Sequence, residues 1–221
     1  MKVLTTSVGR KLAMACSGQL LVLFLLLHVV GNSTFWVDLI NAYAAHLHAL
    51  PPAVWLFRAG LLALLGVHVW QGVTLTLESR AAKGGGYAVG VYRRATLASR
   101  TMIWTGLALA AFLVYHELHL TLQVIHPEAA AGAHVDVAGR PDVQRMLVSG
   151  FSHAGTAAVY IAGMIALGLH LSHGIASSVQ TLGLNGQRSF PWVERGGTAL
   201  ALLIAAALLV IPAGIFAGFV R

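Results

Sequence analysis

Leu20-Leu21-Val22-Leu23-Phe24-Leu25-Leu26-Leu27-His28-Val29-Val30-Gly31 is an apolar run broken by one imidazole. A membrane-spanning helix needs roughly 20 mostly apolar residues. The run sits inside such a stretch, residues 12–31. Four more stretches of that kind follow, at about 53–77, 101–120, 151–177 and 197–219. The chain has 221 residues, of which 57% are hydrophobic and 10% charged. A soluble domain carries about 25% charged residues, so composition excludes one. Backbone groups in lipid must pair within their own segment, and the alternation of a membrane barrel is absent. The sequence therefore predicts an all-α membrane protein, with five transmembrane helices in a bundle. One transmembrane domain accounts for residues 1–221.

Charge predicts the orientation. With the amino terminus inside, the inner segments hold Lys2, Arg10, Lys11, Arg80, Lys83, Arg93, Arg94, Arg100, Arg188 and Arg195. The outer segments hold Arg58, Arg140, Arg145 and Arg221. That asymmetry follows the positive-inside rule. It accounts for the net charge of +7 without a nucleic-acid partner, for which there is no binding pattern. The first span reads as a retained helix, being long, without a small-x-small cleavage site, and carrying His28 near its far end. Cys16 stands alone and reads as a small apolar helix residue.

An ionisable residue within a span is expensive and marks a functional site by default. His28, His68, His116 and His170 fall one each in the first four spans. At about 1.5 Å of rise per residue, His28 and His116 lie at one level towards the outer face. His68 and His170 lie at a second level near the inner face, roughly 15–17 Å away. Two imidazoles at each of two levels are what two haem irons need as axial ligands. No Cys-x-x-Cys-His motif is present, so such haems are non-covalent, b-type groups. Gly18, Gly31, Gly66, Gly72, Gly106, Gly168 and Gly174 either admit a flat macrocycle or serve helix packing.

The other histidines read differently. His46, His48, His126 and His134 fall in outer loops as solvated residues, and His153 near the outer start of the fourth span. His119 and His173 are the rival ligands, one turn from His116 and His170. His116-Glu117-Leu118-His119 is not the zinc-protease motif, whose histidines are four apart. Gly84-Gly85-Gly86 lacks the Lys-Ser/Thr of a phosphate-binding loop and reads as a breaker. Ala42–Leu50 reads as a short interfacial helix, and Pro212 as the site of a kink in the fifth span.

Several segments taken in order carry a resemblance. They are Ser7-Val8-Gly9-Arg10-Lys11-Leu12-Ala13-Met14, Leu27-His28-Val29-Val30-Gly31-Asn32 and Asn41-Ala42-Tyr43. Val67-His68-Val69-Trp70-Gln71-Gly72 and Ser99-Arg100-Thr101-Met102-Ile103-Trp104-Thr105-Gly106 follow. The last are Gly168-Leu169-His170-Leu171-Ser172-His173-Gly174 and Gln180-Thr181-Leu182-Gly183-Leu184-Asn185. In their order and spacing, over nearly the whole chain, these resemble the di-haem cytochrome b membrane subunit of succinate:quinone oxidoreductases. The likeness is to the five-helix, single-anchor type that goes with menaquinone in many bacteria.

The resemblance implies haem ligation by His28, His68, His116 and His170. It implies a flavoprotein subunit that oxidises succinate and an iron–sulfur subunit on the cytoplasmic face of a bacterial inner membrane. The dicarboxylate site is then not on this chain, which carries no catalytic residue but passes electrons to a quinone, with menaquinone expected. Arg10, Lys11 and Arg100 are candidates to meet haem propionates, the quinone or the docked subunit, or are topology determinants alone. Ser17, Trp70, Gln71, Trp104 and His173 are candidates for an inner quinone pocket. Asn32, Trp36, Glu117 and His119 are candidates for an outer one. Glu117 reads as a proton shuttle or as a surface carboxylate. Some fumarate-reducing members carry a glutamate two residues before the fourth-helix ligand; Gly168 stands there. The alternatives are the cytochrome b anchor of a hydrogenase or formate dehydrogenase, or a small proton-coupled transporter with buried histidines.

Overall fold

The computed structural model describes residues 6–82 and 96–220. Lys2, Lys83, Arg93, Arg94, Arg221 and the Gly84-Gly85-Gly86 breaker lie outside the described residues. Among the described residues there are seven α-helices: α1 (Ser7–Ser33), α2 (Ile40–Leu47), α3 (Pro51–Ala82), α4 (Leu97–His116), α5 (Val143–Ser152), α6 (Ala154–Thr181) and α7 (Phe190–Phe216). Five of them, all but α2 and α5, are long and apolar enough to cross a membrane. Among the described residues there is no strand, only an isolated bridge between Val135 and Pro141.

The long helices outrun their apolar stretches. α3 extends to Ala82 rather than 77, and α7 begins at Phe190 rather than 197. The extra turn of α3, 78–82, is polar, and α7 opens on Phe190-Pro191, a proline in the first turn where its missing N–H is no loss. Side-chain caps hold the starts of α1 and α4. Thr6 accepts from Gly9 N at 3.1 Å, and Thr96 from Ser99 N at 3.1 Å. Each cap satisfies an amide that the first turn leaves without a partner.

Cross-contacts fix the directions. Arg10 of α1 pairs with Glu78 of α3, and Phe24 meets Phe57 further along, so these helices are antiparallel. Gln19 of α1 bonds Ser178 of α6, and Gly106 of α4 faces His170 of α6. The starts of α1, α4 and α7 and the ends of α3 and α6 therefore share one end. We term this the basic end, since it carries Arg10, Lys11, Arg80, Arg100, Arg188 and Arg195. α2, α5 and the 117–142 segment cover the opposite, cap end.

α6 is the central helix. Its small residues let α7 approach closely: a methyl group at Gly168 would lie 3.3 Å from Ala205 Cβ, and one at Gly197 would lie 3.2 Å from Ile175 Cγ2. Close backbone approach of this kind drives association where lipid removes the hydrophobic drive. α7 runs on through Pro212 as one helix. α3 is the opposite case. It packs chiefly on α1, and none of its residues is buried. Between α3 and the α4–α6 wall the protein encloses no side-chain core but a cavity.

The cap end is tied by polar contacts. Asn41, only 8% exposed, donates to Asp142 Oδ1 at 3.1 Å and accepts from Gln144 N at 2.9 Å. Asp142 also caps α5, accepting from Arg145 N at 3.0 Å. α5 was not expected as a separate element. It lies across the start of α6, with Met146, Leu147, Gly150 and Phe151 buried. The short helix expected over 42–50 is found as α2, two residues earlier.

Candidate functional site

The cavity has a volume of about 1330 Å³ and runs along the bundle between α1, α3, α4 and α6. His28, His68, His116 and His170 all line it. The structure brings them together as two pairs. His28 and His116 face each other with ring centroids 6.0 Å apart and planes at 76°. His68 and His170 do so at 6.3 Å and 76°. No hydrogen bond joins the two rings of either pair.

At the basic-end pair, one device is used twice. Ser17 Oγ is 3.3 Å from His68 Nδ1, and Thr105 Oγ1 is 3.2 Å from His170 Nδ1. Each hydroxyl already donates into its own helix: Ser17 to Met14 O at 3.0 Å, Thr105 to Thr101 O and Met102 O at 3.1 Å each. With its proton so occupied, each can only accept from the imidazole. His68 Nδ1 also lies 3.2 Å from Met14 O, which likewise accepts. Both rings therefore carry a proton on Nδ1, and Nε2 remains as the free lone pair.

A glycine follows each hydroxyl residue. A methyl group at Gly18 would stand 3.1 Å from His68 Cε1, and one at Gly106 would stand 3.2 Å from His170 Cε1. These two glycines make room for the imidazole of the neighbouring helix. Ser17-Gly18 precedes His28 by the same spacing as Thr105-Gly106 precedes His116. Eleven residues from hydroxyl to histidine separate the two levels by about 16 Å of helix rise. α1 with α3 and α4 with α6 thus repeat one arrangement, a signal present in the sequence as (Ser/Thr)-Gly-x9-His in the first and third spans.

At the cap-side pair, His116 Nδ1 lies 3.3 Å from the Tyr160 hydroxyl. His119 is buried at 3% exposure and packs away from the cavity, with Nδ1 3.0 Å from the same hydroxyl. The cause is local. α4 ends at His116 and continues as a π turn over Glu117–Thr121, which redirects the following side chains. His173, in contrast, lines the cavity one turn nearer the basic end than His170.

The other candidates sort clearly. Trp104, Asn32, Glu117 and Arg100 line the cavity, whereas Trp70, Gln71 and Trp36 do not. Ser17 is bound to His68, and Trp36 packs over Gly214. Arg10 is paired with Glu78 and holds α1 to α3. His126 lies in the outer loop as expected but only half-exposed, stacked on His153 with centroids 4.3 Å apart and planes within 3°. Gly168 abuts Ala205, so a glutamate at that position would run into α7.

A metal–imidazole bond of about 2.0 Å plus about 1.1 Å from ring nitrogen to centroid, doubled, gives about 6.2 Å across a metal ion held by two imidazoles. Both observed separations match that value. Among the described residues no group of three or more His, Cys, Asp or Glu side chains is placed to hold a bare ion. Each level offers two facing imidazoles and no further protein ligand, with apolar space around them. The chemistry of the donor set is thus that of a metal whose remaining ligands come with it. Comparison with family models, with curated proteins and with solved structures finds no match.

Proposed function

We propose that this chain is a di-haem membrane anchor that carries electrons between a cytoplasmic-face partner and a membrane quinone. The observation that carries the reading is the pair of facing histidines at 6.0 and 6.3 Å, repeated at two levels of one cavity. The fit extends beyond the rings. A single small-molecule pocket occupies roughly 300–1,000 Å³, and this cavity exceeds that range. α3 leaves every residue unburied along its whole length, as a helix does when it closes over a bound group rather than over side chains.

His28 and His116 would hold one haem b, and His68 and His170 the other. A haem held by two imidazoles supplies one-electron transfer between ferric and ferrous iron. The chain's own residues do the rest. Ser17, Thr105, Met14 O and Tyr160 hold the ring tautomers that leave Nε2 for the metal. Gly18 and Gly106 let the rings seat. The apolar walls of α3 and α4 exclude water from the path between levels. At the basic end, Arg80, Arg100, His173 and Thr181 line the cavity mouth. They are placed to bind propionates or a quinone carbonyl, and the exposed arginines there suit a docked subunit.

The resemblance supports the more specific identity: the cytochrome b subunit of a succinate:quinone oxidoreductase in the bacterial cytoplasmic membrane. Its partners are a flavoprotein and an iron–sulfur subunit on the basic end, and its acceptor is a quinone, menaquinone by the likeness. The dicarboxylate chemistry then belongs to the flavoprotein. Purified from membranes, the protein is expected to show reduced-minus-oxidised b-type bands with two haems per chain. A colourless protein overturns the reading. Co-purification with a flavoprotein active on succinate supports the specific identity; co-purification with a hydrogenase or formate dehydrogenase replaces it.

A further inference from the structure

One hydroxyl touches two histidines. Tyr160 of α6 is 5% exposed, and its oxygen lies 3.3 Å from His116 Nδ1 and 3.0 Å from His119 Nδ1. A phenol carries a single proton, so it donates to one of these nitrogens and accepts from the other. We propose that Tyr160 and His119 are positioning residues that fix the tautomer of His116 and set the potential of the cap-side haem apart from that of its partner. The chain runs His116 Nδ1–H to the Tyr160 oxygen, then Tyr160 O–H to His119 Nδ1. The inference rests on the bis-imidazole haem reading of the site.

The direction of the chain follows from ligation. An imidazole bound to iron through Nε2 keeps its proton on Nδ1 and must donate it. Tyr160 then accepts from His116, and its own proton goes to His119, whose Nδ1 is the acceptor. His119 is therefore the Nε2–H tautomer. It is held there by packing. A methyl group at Gly150 would stand 2.8 Å from His119 Nε2, and Phe151 and Tyr115 flank the ring at centroid distances of 6.0 and 5.8 Å. The phenol is equally fixed, with Phe112 and Phe151 edge-on to it at 5.2 and 4.7 Å.

The basic-end pair has a shorter relay, which ends on the main chain. There the accepting hydroxyls of Ser17 and Thr105 return their protons to the backbone of their own helices. Tyr160 instead passes its proton to a third side chain. Donation onward polarises the phenol and makes its oxygen a better acceptor. A stronger bond from Nδ1–H makes the ligand more basic, which favours ferric iron. The cap-side haem is therefore held at a lower potential than it would have without the phenol.

The test is a redox titration of the detergent-purified holoprotein followed by absorption, with each haem assigned to its level through His28→Ala and His68→Ala. Tyr160→Phe is expected to retain both haems, to shift the cap-side midpoint positive and to leave the other unmoved. His119→Ala is expected to shift the same midpoint in the same direction by less. A cap-side potential unmoved by Tyr160→Phe, or an equal shift at both levels, overturns the proposal while leaving the haem reading intact. Wild-type protein without haem overturns the haem reading and this inference with it. Nitrogen-15 spectra of histidine-labelled wild-type holoprotein give a readout that needs no variant. They should show His119 protonated on Nε2, and a proton on its Nδ1 overturns the chain.

Discussion

Gly18 faces the His68 ring so closely that a methyl group there would stand 3.1 Å from the imidazole Cε1. The ring cannot retreat freely, since Ser17 and Met14 hold its Nδ1. Gly106 stands in the same relation to His170 at 3.2 Å. Overpacking a fixed site costs about 1–3 kcal/mol. Gly18→Ala and Gly106→Ala are therefore expected to weaken retention of the basic-end haem roughly tenfold to a hundredfold and to spare the cap-side one. Haem stoichiometry after dialysis, resolved by level, measures this. Equal loss at both levels would show that the glycines serve general packing.

The rival ligands give a second test. His170 faces His68 across the cavity, while His173 lies one turn nearer the mouth. His170→Ala is expected to lose the basic-end haem, and His173→Ala to keep both. On the cap side, His116→Ala is expected to lose the haem that His119→Ala retains. Retention of two haems in the His170 variant moves the ligand elsewhere.

On the haem reading, the hydroxyls that hold the basic-end rings are expected to act on potential rather than on occupancy. A neutral hydrogen bond contributes about 1 kcal/mol, which for a one-electron couple is roughly 40 mV. Thr105→Val is expected to raise the basic-end midpoint by up to that amount. Ser17→Ala should move it less, because His68 keeps the Met14 carbonyl at 3.2 Å. A spectroelectrochemical titration separates the two. A negative shift in either variant would mean that the hydroxyl donates to the ring instead of accepting from it.

Much of this arrangement was legible in the chain because hydropathy and helix rise are both local. The five spans follow from apolar runs, and the pairing of His28 with His116 and of His68 with His170 follows from residue counts along straight helices. The misplacements have physical causes. Hydropathy ends where the apolar run ends, but a helix continues through charged residues such as Glu78, Arg80, Glu194 and Arg195, so α3 and α7 were expected too short. α5 carries too few apolar residues to register as a span, and its burial depends on α6 and α7. Ser17 was expected in a quinone pocket because a polar residue in a span invites that reading; its partner, His68, is 51 residues away. His119 was a plausible ligand at helical spacing, and only the π turn after His116 removes it from the cavity. The repeated Ser/Thr-Gly dipeptide ahead of His28 and His116 was in plain view, yet its meaning needed the neighbouring helices.

Asn41 tests the cap. Its amide spans α2 and the start of α5 through Asp142 and the Gln144 amide. Removing one member of a buried polar set leaves the others unpaired, at about 1–3 kcal/mol. Asn41→Ala is expected to lower the thermal midpoint and to open the 122–142 segment to protease, with both haems in place. Unchanged proteolysis would show that the cap is held by the apolar face of α5 alone.

Asp136 gives the cap a pH dependence whose sign can be worked out. Its carboxylate accepts from Arg140 Nε at 2.8 Å and from the Arg140 and Ala138 backbone amides at 2.9 Å each. The Arg140 side chain first, and then these amides, hold its pKa down to about 2. The ionised form is thus the one that the folded loop favours. The stabilisation is complete above the unfolded value of about 3.9 and is lost as pH falls through about 2. Protease sensitivity of the 135–141 turn should therefore be flat at neutral pH and rise only on strong acidification. In Asp136→Asn the turn should be sensitive at every pH, since the amide loses the charge that Arg140 answers. An acid-protease assay at pH 2 to 4 on both proteins decides it, and identical profiles would remove Asp136 from any role in the loop.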